Sequence, residues 1–201
     1  MHRVGLTGNI ASGKSAVAAV WQRLGAAIID ADELARLAVA PGSPGLERLR
    51  TAFGDEVIAG DGSLDRSKLR SVVFADAEQR TVLEAIVHPE VARLRSIEEA
   101  QVERGGATVV VHVIPLLFEA GLEETVDEIV FVDSPVDVRL ERLVRMRGLE
   151  PDEARRMVDA QKPAGPKRKR ADVVIENTGT LAELERKAEA VWREIEGRAS
   201  A

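Results

Sequence analysis

Val4-Gly5-Leu6-Thr7-Gly8-Asn9-Ile10-Ala11-Ser12-Gly13-Lys14-Ser15 opens the chain and decides how the rest is read. An apolar run leads into the glycines, and an alanine- and valine-rich run from Ala16 to Leu24 follows. The order is strand, tight loop, helix. Gly8 to Ser15 fits the phosphate-loop pattern G-x-x-x-x-G-K-[ST] at every fixed position. By average residue usage those four positions co-occur by accident in roughly 1% of chains of this size; the flanking strand and helix lower that further. The spacing has a chemical reason. Glycines let backbone N–H groups turn inward around a phosphate, and the helix that follows adds its N-terminal dipole. Lys14 would bridge β- and γ-phosphates and the Ser15 hydroxyl would ligate Mg²⁺. Gly8, Ala11, Ser12, Gly13, Lys14, Ser15 and Ala16 are the expected nucleotide-binding residues of this loop.

Beyond it, Ala26 to Ile29 reads as a second short strand ending in Asp30-Ala31-Asp32, and Glu33 to Val39 has helical spacing. Pro41-Gly42-Ser43-Pro44-Gly45 punctuates the chain. From there to about Gly106 only helices are predicted, over Leu46 to Phe53, Arg66 to Phe74 and Ala77 to Glu103. Thr108 to Ile114 is a β-branched strand whose apolarity predicts cover on both faces, as in a parallel sheet. Glu128 to Asp133 and Ala171 to Glu176 are the remaining strands. Helices are expected from Pro135 to Met146, Pro151 to Gln161 and Leu181 to Glu196, with a basic loop over Lys162 to Arg170. Strands separated by helices predict an α/β, doubly wound sheet of five strands. Trp21 and Trp192 fall on amphipathic helices as core residues.

Composition narrows the classes. The 201 residues suit one domain carrying an inserted lobe. No apolar run approaches the roughly 18–20 residues of a membrane helix, and the short stretch after Met1, running straight into a glycine-rich motif, is not expected to be a targeting segment. A cytoplasmic protein is expected. With no cysteine there is no thiol nucleophile or thiolate metal site, and His2, His88 and His112 are scattered. Aromatics at 3% with no tyrosine argue against stacking on single-stranded nucleic acid.

Two further features carry chemistry. Asp30 and Asp32 stand where the second strand ends, the side of a parallel sheet on which ligands bind. A carboxylate there can orient Mg²⁺ through water or accept the proton of an attacking hydroxyl. Asp32 is the expected base and Asp30 its metal-side or orienting partner; capping the next helix is the alternative for either. Arg139, Arg142, Arg145, Arg147, Arg155, Arg156, Lys162, Lys167, Arg168, Lys169 and Arg170 concentrate positive charge in a chain of net charge -6. Such a segment suits a lid over a transferring phosphoryl group. Glu141, Glu150, Asp152 and Glu153 can instead pair with these arginines on a solvated helix face.

Taken together, these residues resemble the dephospho-CoA kinases, ATP-dependent enzymes of the last step of coenzyme A synthesis, over nearly the whole chain. The phosphate loop alone names a superfamily. The ordered set of Asp30-Ala31-Asp32 with Ala35-Arg36, His88-Pro89, Pro115-Leu116-Leu117-Phe118-Glu119, Ala160-Gln161 and Ala171-Asp172-Val173-Val174-Ile175 with Asn177 and Gly179 is similar to the family's own. The resemblance implies a P-loop kinase-like core over 1–39, 106–135 and 171–201, a helical CoA-binding lobe over 40–105 and a lid over 136–170. It implies transfer of the γ-phosphoryl of ATP to the ribose 3′-hydroxyl of dephospho-CoA. Lys14 and Ser15 would hold ATP and Mg²⁺, with Asn177 at the nucleotide, and Asp32 would act as base and beside the metal. Asp30, Arg36, His88, Leu116 and Glu119 would meet the acceptor; a local cap or core role is the alternative for His88, and anchoring a turn for Glu119. Many members carry a lid arginine two residues before the glycine, where this chain has Met146. Arg147, directly before Gly148, takes that role here, with Arg142 in reserve.

The competing readings are another P-loop small-metabolite or nucleoside monophosphate kinase, a GTPase switch and a nucleic-acid module. A GTPase needs an N-K-x-D guanine motif, and none occurs. Net charge -6 with few aromatics disfavours a nucleic-acid partner. Neither a membrane nor nucleic acid is an expected partner, and a monomer or weak homo-oligomer is.

Overall fold

The structure, a computed structural model, describes residues 1–199. It divides into two compact units, one made of residues 1–30 with those from 102 onward and the other of residues 31–101. In the first, β1 (His2–Gly8), β2 (Ala27–Asp30), β3 (Val109–Val113), β4 (Glu128–Asp133) and β5 (Val173–Glu176) form one sheet in the order β2-β3-β1-β4-β5. Every pairing is parallel. Leu6 stands opposite both Val113 and Val130, so the strands end together and their carboxyl ends share one edge. The chain leaves β1 toward β2 on one side and later reaches β4 on the other. The loop after β1 therefore opens at the crevice where such sheets bind ligands.

Both faces of the sheet are covered, as the apolar strands predicted. Val4, Leu6, Val109, Val111, Val130, Val132 and Ile175 pack against α1 (Lys14–Arg23) and α9 (Leu181–Ala199). Trp21 and Trp192 meet in that layer with ring centroids 5.7 Å apart, and Trp21 Nε1 donates to the Ala188 carbonyl at 2.8 Å. On the opposite face the fully buried Phe131 meets Phe118 edge-on at 6.3 Å. Between β4 and β5 run α6 (Val136–Arg147), α7 (Pro151–Asp159) and α8 (Ala164–Arg168). The stretch expected as a basic loop over 162–170 thus contains a short helix. Its Pro166 falls in the first turn, where a missing N–H costs nothing.

The unit of residues 31–101 is helical: α2 (Ala31–Leu37), α3 (Pro44–Phe53), α4 (Arg66–Ala75) and most of α5 (Ala77–Arg104). α2, read with the core in the sequence, clusters with this unit. Helix starts follow the punctuation: Ser43 Oγ accepts from Leu46 N at 3.2 Å, Pro44 opens α3, and Asp65 Oδ1 accepts from Ser67 N and Lys68 N. Leu49, Phe53, Val57 and Leu69 form its core. No helix among the described residues is long and apolar enough to cross a membrane.

Candidate active site

Why two glycines are needed in the loop is visible in the backbone. Gly8 has φ 155°, and a Cβ there would collide with the Val132 carbonyl oxygen. Gly13 has φ 106° and caps α1 in the left-handed region, where a Cβ would strike Asn177 Nδ2. Ala11, at φ 58°, is the one non-glycine residue with positive φ among the described residues. Lys14 begins α1 and folds its Nζ back over the loop, donating to the carbonyls of Gly8 at 2.6 Å and Asn9 at 3.3 Å. Ser15 is exposed one residue later, and Ala16 is half-buried behind it.

Three distant segments grip this loop. From β5's exit, the buried Asn177 donates through Nδ2 to the Ser12 carbonyl at 2.8 Å, while its own N–H reaches the Asp133 carbonyl at 2.7 Å. From α6, Arg142 donates to the carbonyls of Ala11 at 3.2 Å and Ser12 at 3.4 Å, to Ser134 Oγ at 2.9 Å and to Asn177 Oδ1 at 3.0 Å. From beyond α7, Gln161 Oε1 accepts from Ile10 N at 2.7 Å. Burial pulls the Arg142 guanidinium below its ordinary range, against a smaller opposing pull from Glu141. It remains a cation, as arginine does in proteins.

A cavity of about 590 Å³ opens beside Asn9, lined by Ser134, Arg139, Asp159, Gln161, Lys162 and Thr178 among others. That is the size of a small-molecule site. Arg139 is buried; its Nε donates to the Ser134 carbonyl at 3.1 Å, and its Nη1 has no partner. Burial lowers its pKa, opposed by Asp133. Much of the remaining basic charge is neutralised locally. Arg145 pairs with Glu141 at 2.8 Å, Lys167 with Glu119 at 2.5 Å, and Arg168 with Asp133 at 2.6 Å and Glu176 at 2.7 Å. Arg170 pairs with Glu123 and lies over the Phe118 ring.

The structure brings Arg142, not Arg147, to the loop. Arg147 is exposed on the last turn of α6, five residues and about 140° around the helix from Arg142. Glu119 lies in the turn after β3 with one oxygen on Lys167, so the turn-anchoring alternative has a visible contact; neighbouring Leu116 is exposed. Asp30 ends β2 at the sheet's carboxyl edge. Asp32 and Arg36 are exposed at the start and end of α2, in the unit of residues 31–101. His88 is exposed on α5 immediately before Pro89, a proline inside the helix. Among the described residues no three His, Asp or Glu side chains are placed to hold a metal ion by themselves.

Comparison with known proteins decides the family. The dephospho-CoA kinase family model matches residues 2–183. The chain belongs to the dephospho-CoA kinase family. A dephospho-CoA kinase of Streptomyces avermitilis is 47% identical over 200 residues, covering 99% of this chain and 96% of its own. Among solved structures, a Thermus thermophilus protein superposes with a TM-score of 0.84 at 42% identity, covering 96% of this chain and 97% of its own. The dephospho-CoA kinase of Campylobacter jejuni does so with a TM-score of 0.72 at 27% identity, covering 96% of each chain. In this dephospho-CoA kinase family member, the sequence offered Arg142 only as the reserve lid arginine, without its grip on the loop, and gave no sign that Lys167 Nζ donates to Asn9 Oδ1 at 2.7 Å. The signal for Arg142 was present, because position 142 lies three residues beyond Arg139 on one helix face. Lys167 had none, since a basic run reads as solvated.

Proposed function

We propose that this chain transfers the γ-phosphoryl group of ATP to the ribose 3′-hydroxyl of dephospho-CoA, giving coenzyme A and ADP. The observation that carries the reading is the phosphate loop, gripped by Asn177 and Arg142, in a chain of this family. Asp32 accepts the hydroxyl proton, the freed oxygen attacks the γ-phosphorus, and the bond to the bridging oxygen of ADP breaks. Lys14 and the loop N–H groups hold the β- and γ-phosphates, and Arg142 counters charge on the transferred group. Arg147, exposed at the end of α6, is left without that role.

Magnesium fits the residues present. It binds nucleotides through phosphate oxygens, waters and one or two protein oxygens, so an exposed Ser15 hydroxyl beside the loop suffices without a protein cage. Asp32 is the second proposed protein oxygen near it. When bound, the ion neutralises developing charge on the phosphates. Residues 40–105 form the acceptor lobe in this reading, with Asp30, Arg36, His88 and Leu116 as acceptor contacts, and residues 136–170 form the lid. Glu119 is taken up by Lys167. Soluble nucleotide substrates and a net charge of -6 support a cytoplasmic monomer or weak homo-oligomer without nucleic-acid or membrane partners.

The test is ADP release with a panel of acceptors. Turnover with dephospho-CoA is expected to exceed that with AMP, shikimate or adenosine phosphosulfate by a wide margin. Equal or greater turnover with any of the other three overturns the assignment and favours another small-metabolite kinase.

A further inference from the structure

Lys167 has no step in the reaction, yet it is only 4% exposed. It sits in the five-residue α8, a basic stretch whose neighbours Arg168 and Lys169 are exposed. Its Nζ donates to Asn9 Oδ1 at 2.7 Å and to Glu119 Oε1 at 2.5 Å. Burying an ammonium and a carboxylate costs desolvation that apolar side chains avoid, so a pair in this place calls for a role beyond packing. The partners suggest one. Asn9 is the second residue of the phosphate loop, and its Nδ2 also reaches the Lys162 carbonyl at 3.4 Å. The next residue, Ile10, gives its N–H to Gln161 at 2.7 Å. Residues 9 and 10 are thereby tied at three points to the segment 161–167, more than 150 residues away in the chain. Glu119 ties the same lysine to the turn after β3. A loop that must present its N–H groups to a phosphate is sensitive to placement: a shift of about 1 Å can cost roughly 100-fold in rate.

We propose that Lys167 is a positioning residue: with Asn9 and Glu119 it locks the segment 161–167 onto the phosphate loop and sets that loop's geometry for phosphoryl transfer. With its side chain only 5% exposed and its Nζ held by Asn9 and Glu119, it acts through the loop. The inference rests on the kinase reading above, and wild-type turnover with dephospho-CoA, measured first, tests that reading separately. Two variants then probe the lock. Asn9→Ala leaves the Lys167–Glu119 pair in place, so its Tm stays within about 4 °C of wild type. The double variant Lys167→Met with Glu119→Gln removes both charges together, leaving none buried alone. In each, kcat falls by roughly 30- to 100-fold while KM for ATP changes less than about 3-fold. Hydrogen exchange of the Ile10 amide, measured without acceptor, speeds up by about 10-fold or more in both. Combining all three substitutions gives no further loss, because they remove one shared lock. Wild-type kcat in either variant, unchanged Ile10 exchange, or losses that multiply on combination would overturn the proposal.

Discussion

The phosphate loop and the helical unit of residues 31–101 hold their proposed functional side chains by opposite means. The loop's shape depends on contacts across great chain distances: Arg142 reaches the Ala11 carbonyl across 131 positions, and Asn177 reaches Ser12 across 165. In the helical unit several polar contacts of the described residues are local. Ser43 caps its own helix three residues on, Asp65 does the same, and the buried Glu90 holds Arg93 one turn away as well as Arg48 from another helix. Asp32, Arg36 and His88 are all exposed there. One region is a phosphate loop shaped by tertiary closure; the other carries the residues proposed for the acceptor side on helices that local signals specify.

The largest expected effect breaks the comparison from the helical side. Asp32→Asn should lower kcat by about 10²–10⁴-fold with KM for ATP nearly unchanged, since a general base acts in the transition state. Steady-state kinetics with ATP varied at saturating acceptor decide it, and wild-type turnover removes Asp32 from the chemistry. On the loop side, Arg142→Ala should lower kcat/KM for ATP by about 10²–10³-fold, the loss typical of one donor to a developing charge. Arg147→Ala should change it less than about 3-fold, as expected of an exposed side chain off the loop. The reverse order would show that the lid arginine is set by distance from Gly148 rather than by the helix face.

A smaller effect separates local from long-range stabilisation. Glu90→Gln replaces a buried carboxylate holding two arginines and should cost about 1–3 kcal/mol in urea unfolding, with little change in KM for ATP. A large rise in KM for ATP would show that the two regions are not separable in this way. The smallest effect is an acid-side one. Arg168 beside Glu176 holds that exposed carboxyl below its usual range, by hydrogen bond first and charge second. A lowered folded-state pKa contributes stability that is present above the unfolded value and lost as pH falls through the folded one. Glu176→Gln should therefore lower Tm slightly near neutral pH and converge with wild type in acid. Parallel Tm curves down to the acid end would exclude the pair as a contributor.

Much of this was legible from neighbouring residues alone. The strand before Gly8 and the helix after Gly13 are set by apolar spacing, and α3, α4 and α5 start within two residues of where their caps and periodicity place them. The helix α8 inside the expected basic loop over 162–170 has no sequence signal, since five residues containing Gly165 and Pro166 carry too little periodicity. The basic segment misled in a similar way. Its charges look alike in sequence, yet Arg139 and Lys167 are buried, Arg142 grips the loop and Arg147 faces solvent.

By itself the sequence determined the phosphate loop, the parallel sheet and the family, because each rests on residues adjacent in the chain or on motifs in fixed order. Only the tertiary structure decided which basic side chains reach the loop and which are spent on carboxylates. That choice depends on which face of α6 meets β1's exit and where α8 lands. Those are set by burial of apolar surface from the whole unit, and no short stretch of residues encodes them.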